Sequence, residues 1–136
     1  MSYALFAYGT LQFDDVFATV MGQSRPSSAA VLRDHRRERF IGDIFPGLVP
    51  SPGDSVDGVV YHDIDRAMLA RLDDFEGELY VRRLLTVEWD ASHGMAFTYL
   101  VAGRYRGRFA GEWDPHWFAR WQKAAFLARI KTGAGR

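Results

Sequence analysis

The chain of 136 residues contains no cysteine. Disulfide bridges, thiolate metal sites, iron–sulfur clusters and a cysteine nucleophile are thereby excluded. An excess of one charge is also missing, with 17 Lys and Arg against 17 Asp and Glu. That balance argues against a protein whose main task is gripping nucleic acid or an acidic membrane. No stretch approaches the roughly 18 consecutive apolar residues of a membrane-spanning helix. Met1 to Phe6 lacks the basic segment and long apolar run of a secretory signal. The expectation is a cytoplasmic protein. His35, His62, His93 and His116 show no metal-ligand spacing. The acids between Asp73 and Glu78 lack the alternation of a calcium loop. Ser24, Ser27, Ser28, Ser51 and Ser55 sit in no nucleophile elbow. No metal and no cofactor are expected.

What the chain does contain is apolar material: 48% hydrophobic residues, with ten Phe, six Tyr and four Trp. This supports one core and a single domain over residues 1–136, with no repeat or linker. Tyr3 to Tyr8 is a short apolar run ended by Gly9, the pattern of a buried strand. Asp14 and Asp15 precede Val16, Phe17, Val20 and Met21, which share a helical face that Gly22 would close. Ala29 to Ile44 reads as strand and loop, its arginines on an exposed edge. Phe45-Pro46-Gly47 and Ser51-Pro52-Gly53 read as turns. Val56 to Ile64 reads as a strand in which Gly58 marks a bend or a close backbone approach. Asp65 is a helix cap for residues 66–75, with Gly77 as the stop. Tyr80 to Trp89 and Met95 to Val101 form a predicted hairpin around residues 90–94. Asp114-Pro115 opens a C-terminal helix whose buried stripe is Trp117, Phe118, Trp121, Ala125 and Ala128, and Thr132 to Arg136 is a frayed tail. The order β-α-β-β-α-β-β plus a C-terminal helix favours an α+β fold over a doubly wound sheet.

Two segments carry chemistry. Tyr8-Gly9-Thr10-Leu11 follows a buried strand, and its glycine lets the backbone turn sharply and approach a ligand. Successive N–H groups in such a turn can hold a carboxylate or an oxyanion, although an ordinary strand-ending turn has the same sequence. Leu72 to Arg82 places four acids within six positions. Asp73 and Asp74 stand late in a helix, against the preference of its dipole. Phe75 and Tyr80 offer apolar surface around Glu76. A carboxylate sheltered there would be raised from its ordinary value of about 4.3 towards that of a neutral-pH base. A solvated acidic helix end is the plain alternative.

YGTL after the first strand, then FPGLVP, VDGVVY and LDDFEGELYVR, resembles the γ-glutamyl cyclotransferase superfamily. Gln12-Phe13-Asp14-Asp15 after YGTL is closer to its plant avirulence-induced branch and bacterial relatives. The resemblance runs from about Tyr3 to about Val101. It implies a small mixed β-barrel with packed helices. It also implies Glu76 as proton acceptor and donor, and a substrate held by backbone groups of Tyr8, Gly9, Thr10 and Leu11. Tyr80 and Arg82 would support the pocket. The implied partner is a small-molecule γ-glutamyl substrate, which closes to 5-oxoproline as an amine leaves.

Two other readings stay open: a catalytically silent small-molecule or peptide-binding module on the same fold, and an RNA-binding regulator. The latter would use the basic run of Arg33, His35, Arg36, Arg37 and Arg39, or the stretch Arg104-Tyr105-Arg106-Gly107-Arg108. With zero net charge, the basic run is expected to be a solvated edge. The arginine–glycine stretch is expected to be too short for RNA, or else to line a pocket mouth.

Overall fold

The computed structural model describes residues 2–40, 45–105 and 107–132. Met1, the end of the predicted strand-and-loop segment (41–44), Arg106 and the last four tail residues (133–136) lie outside the described residues. The strands are β1 (Tyr3–Ala7), β2 (Ser27–Phe40), β3 (Pro46–Ile64), β4 (Tyr80–Trp89), β5 (Ser92–Val101) and β6 (Phe109–Glu112). The helices are α1 (Asp14–Met21), α2 (Arg66–Glu76), α3 (Pro115–Trp121) and α4 (Lys123–Lys131). Single 3-10 turns occupy Thr10–Gln12, Gly77–Leu79 and Gly103–Tyr105.

The first five strands close on themselves as a mixed barrel. Antiparallel pairing runs from β1 to β3, β3 to β2, β2 to β4 and β4 to β5. The ring is completed by the parallel pair β5–β1, at Leu5 opposite Phe97. Closure satisfies backbone groups that an open edge would expose. β6 pairs with the outer half of β2, beyond the barrel proper.

The period-two alternation of β1 serves two cores. Phe6 and Tyr8 join Ala30, Leu32, Val56, Val60, Val87 and Ala96 in one cluster. Leu5 and Ala7 face the other way, into a cluster with the helical residues Val16, Phe17, Leu72, Phe118 and Phe126. The predicted caps hold. Asp65 accepts from the Met68 N–H, Asp114 from the His116 N–H, and Gly22 takes the left-handed conformation at φ 74°. Gly58 is a close approach: a Cβ there would stand 2.4 Å from the Ala7 carbonyl oxygen.

Four expectations need correction. Pro46-Gly47 and Ser51-Pro52-Gly53 belong to β3 rather than to turns between elements. The second triplet still expresses its turn chemistry, as an irregularity inside the long β2–β3 hairpin. Pairing jumps from Arg33–Ser55 to His35–Pro50. Asp34 and Gly53 take φ values of 61° and 88°, and the Gly53 N–H donates to Asp34 Oδ1 at 3.0 Å. The predicted five-residue hairpin loop shrinks to Asp90-Ala91, at φ 52° and 57°, the twist that lets two residues join antiparallel strands. β6 went unrecognised because it is only four residues long.

Finally, the C-terminal helix is two helices, broken at Gln122, which sits at φ −123° and ψ −27°. The break shifts the helical phase. Phe118 and Phe126 are buried and Trp117 is half-buried, whereas Trp121 is 64% exposed and Ala125 and Ala128 face solvent.

Candidate active site

Glu76 is the last residue of α2, and Gly77 follows at φ 70°, turning the chain out of the helix towards β4. The turn leaves the Glu76 carboxylate beneath the structure rather than in solvent, at 7% exposure. Facing it is the end of β1. Tyr8, Gly9, Thr10 and Leu11 share with Glu76, Tyr80, Tyr99 and Pro46 the wall of one cavity, which encloses about 350 Å³ of atom-free space, part of it open to solvent. Of the residues predicted for the site, these six are brought together: Tyr8, Gly9, Thr10, Leu11, Glu76 and Tyr80.

The turn itself is anchored by its carbonyls. The Tyr8 carbonyl accepts from Gln12 Nε2 at 2.8 Å and from Arg37 Nη1 at 2.9 Å. The Gly9 carbonyl accepts from the Gln12 N–H at 3.1 Å, and the Thr10 carbonyl from the Phe13 N–H at 3.4 Å. The Leu11 carbonyl accepts from the Tyr61 hydroxyl at 2.8 Å, and the Tyr61 ring is stacked on Phe17 at 3.9 Å. With all four carbonyls occupied, the N–H groups of Gly9, Thr10 and Leu11 are what this stretch can present to a ligand. Thr10 adds a hydroxyl that is buried and has no hydrogen-bond partner among the described residues. An unpaired buried polar group is uncommon and is expected to have a partner in function.

Tyrosines set the remaining walls. The Tyr8 hydroxyl donates to the Tyr99 carbonyl, and the Tyr80 hydroxyl to the Pro46 carbonyl at 2.7 Å. The Tyr99 hydroxyl donates to Asp73 Oδ1 at 2.6 Å. Burial, reinforced by the Asp73 and Glu76 charges, holds the Tyr99 phenol far above its ordinary range, so it stays protonated.

Arg82 does not reach the cavity wall. It grips Asp73 with both Nε (3.0 Å) and Nη2 (3.2 Å) and lies 4.5 Å over the Phe97 ring, behind Tyr99. Its support for the site is indirect. Phe75 likewise turns to the helical core, where its ring meets Phe126 edge-on.

Tyr99, Arg37, Gln12 and Tyr61 escaped the sequence reading. Tyr99 was reachable from the hairpin register, which sets it opposite Arg82. Arg37 was hidden in a basic run whose neighbours do behave as a solvated edge: Arg33 pairs with Glu88, and Arg36 with Glu38. Arg104 lies outside the cavity and stands 3.7 Å from Glu78 at the surface. Among the described residues no group of three or more His, Asp or Glu side chains is placed to hold a metal ion. No described helix is long and apolar enough to cross a membrane.

Comparison with known proteins converges on one family. The sequence profile described as "Gamma-glutamyl cyclotransferase, AIG2-like" matches residues 5–115. AIG2-like protein C of Arabidopsis thaliana is 31% identical over 132 residues, covering 96% of this chain and 77% of its own. AIG2-like protein D of the same plant is 28% identical over 124 residues, covering 89% and 80%. Among solved structures, an Arabidopsis thaliana protein determined in solution superposes with a TM-score of 0.74 at 24% identity, covering 98% of this chain and 82% of its own. A γ-glutamyl cyclotransferase superposes at 0.68 with 21% identity, covering 82% and 70%. Likenesses at such identities speak for the fold, which is therefore that of a γ-glutamyl cyclotransferase-like mixed barrel with four helices.

Proposed function

The chain belongs to the AIG2-like γ-glutamyl cyclotransferase family, and on that footing we propose that it cyclises the γ-glutamyl group of a small molecule, releasing 5-oxoproline and an amine. The observation that carries this reading is the buried carboxylate of Glu76 sharing one cavity with the Tyr8–Leu11 turn.

A γ-glutamyl compound holds its α-amine and its γ-carbonyl in one chain, and folding that chain back brings nitrogen and carbon together. At neutral pH the amine, with a model value near about 8, is mostly protonated and cannot attack. Glu76 takes that proton. The nitrogen lone pair then forms the new C–N bond at the γ-carbon, and the carbonyl oxygen becomes an oxyanion. As the oxyanion collapses, the bond to the leaving nitrogen breaks and Glu76 gives its proton there. The ring nitrogen passes the surplus proton left by the attack to the departing amine, which leaves as an ammonium beside the neutral lactam. One carboxylate thus serves as base and then as acid, and it ends in the state in which it began. Proton transfer of this kind contributes ~10²–10⁴-fold. Holding the substrate folded adds an orientation effect of its own.

The rest of the wall divides by polarity. The donor side of the Tyr8–Leu11 peptides and the Thr10 hydroxyl suit the substrate carboxylate or the oxyanion. The Tyr99 phenol has committed its proton to Asp73. It offers only lone pairs, the same acceptor character as Glu76. An ammonium fits at that end.

The test is incubation with free γ-glutamyl amino acids, γ-glutamyl-ε-lysine and larger γ-glutamylated metabolites, following 5-oxoproline. Release from at least one of them, and none from its N-acetylated counterpart, is expected. A parent-like rate with the blocked amine would refute intramolecular attack.

A further inference from the structure

The antiparallel pairing of β1 with β3 ends at Ala7 opposite Val59. Just past that end Arg37 Nη1, carried by β2, donates to the Tyr8 carbonyl oxygen at 2.9 Å and to the Asp57 carbonyl oxygen at 3.2 Å. The Gly9 N–H, at the opposite end of the Tyr8–Gly9 peptide, has no partner among the described residues, and Gly9 lies in the wall of the cavity.

The carbonyl of Tyr8 and the N–H of Gly9 are the two ends of one peptide group. That carbonyl carries two donors, the Arg37 cation and the Gln12 amide. Donation into a carbonyl draws electron density towards oxygen and leaves the N–H of the same unit more positive, so hydrogen bonds in series strengthen each other. A charged donor has the larger effect.

The setting favours it. Arg37 packs against the Trp113 ring at 5.4 Å, and burial pulls its pKa below the ordinary arginine value, opposed by the carboxylates of Asp57, Asp114 and Glu112. The field of a half-buried cation is poorly screened by water. Next to Gly9, the Thr10 hydroxyl is a second donor with no acceptor among the described residues.

We propose that Arg37, assisted by Gln12, is a positioning residue that polarises the Tyr8–Gly9 peptide and makes the Gly9 N–H the principal donor to the anionic part of the substrate. This deepens the cyclotransferase reading and rests on it. Neither side chain lines the cavity or touches the reacting atoms.

The test pairs a spectroscopic readout with a kinetic one. In the Arg37→Ala variant the Gly9 amide proton resonance should move upfield while the resonances of the distant β4–β5 hairpin stay put. Its kcat should fall about tenfold, less than the 10²–10³-fold that follows outright removal of an oxyanion donor. Added guanidinium should restore part of that loss, and sodium chloride at equal ionic strength should not. Gln12→Leu should shift Gly9 in the same direction by a smaller amount, and it carries the test if Arg37→Ala does not fold. An unmoved Gly9 resonance in a folded variant overturns the proposal whatever the turnover does. A wild-type protein that releases no 5-oxoproline would instead refute the cyclotransferase reading, with the Gly9 shift still standing as support for polarisation.

Discussion

Glu76→Gln is expected to remain folded and to release 5-oxoproline at least about 10²-fold more slowly than the parent, with the loss in kcat rather than in KM. The substitution keeps the volume and planarity of the side chain at a position only 7% exposed, so the packing around Leu72 and Tyr80 has no reason to change. What disappears is the acceptor for the α-ammonium proton and the donor for the leaving nitrogen. Losing both roles at once is why the effect is large: among the described residues no other carboxylate lines the cavity. Equal fall in stability and activity would assign Glu76 to structure instead. An unchanged rate would remove it from the chemistry altogether.

The second large effect concerns the helical layer. Phe118 is fully buried, with ring centroids of Phe13 at 5.6 Å, Trp113 at 5.7 Å and Phe126 at 5.8 Å. Phe118→Ala is expected to cost about 3–5 kcal/mol, since large aromatic truncations in a packed core leave a cavity the surroundings fill incompletely. For a domain whose whole stability is of order 5–15 kcal/mol, this is a substantial part of the total. Trp121→Ala, three positions on and 64% exposed, is expected to stay within about 0.5 kcal/mol. Urea unfolding of the two variants side by side decides it. Comparable losses would mean that α3 presents a different face from the one observed.

That contrast also marks where sequence reasoning stops. Helices α1 and α2 were legible because caps and apolar spacing agree: Asp65 and Gly77 bracket the run from Met68 to Leu72, and Gly22 closes Val16 to Met21. The C-terminal region misled because period alone cannot see a phase change. A continuous helix from Pro115 puts Ala125 on the buried stripe, and a break at Gln122 puts Phe126 there instead, while Trp121, in α3 before the break, is exposed all the same. The prolines and glycines between residues 45 and 53 misled for another reason. Their turn chemistry is real, but a long hairpin absorbs it as an irregularity while the ladder continues.

In the site, Glu76 and the Tyr8–Leu11 turn could be named because each belongs to a recognisable local segment. Tyr99 and Arg37 could not, since their meaning comes from strand register. Tyr99 matters because β4 sets it against Arg82, with Asp73 close by, and Arg37 because it lies where β1 and β3 part company. Arg82 shows the converse. The family resemblance implies a supporting role for it, and it stands behind the wall rather than in it.

The claim beneath all of this is that one partly open cavity receives the glutamyl moiety between the α2 carboxylate and the peptides that follow β1. A crystal structure of the protein with 5-oxoproline addresses it directly. The expected complex has the lactam nitrogen within hydrogen-bonding reach of Glu76 and an anionic or carbonyl oxygen on the N–H groups of Gly9 to Leu11. Product bound elsewhere on the surface, or Glu76 swung out into solvent with the hollow unfilled, would contradict it.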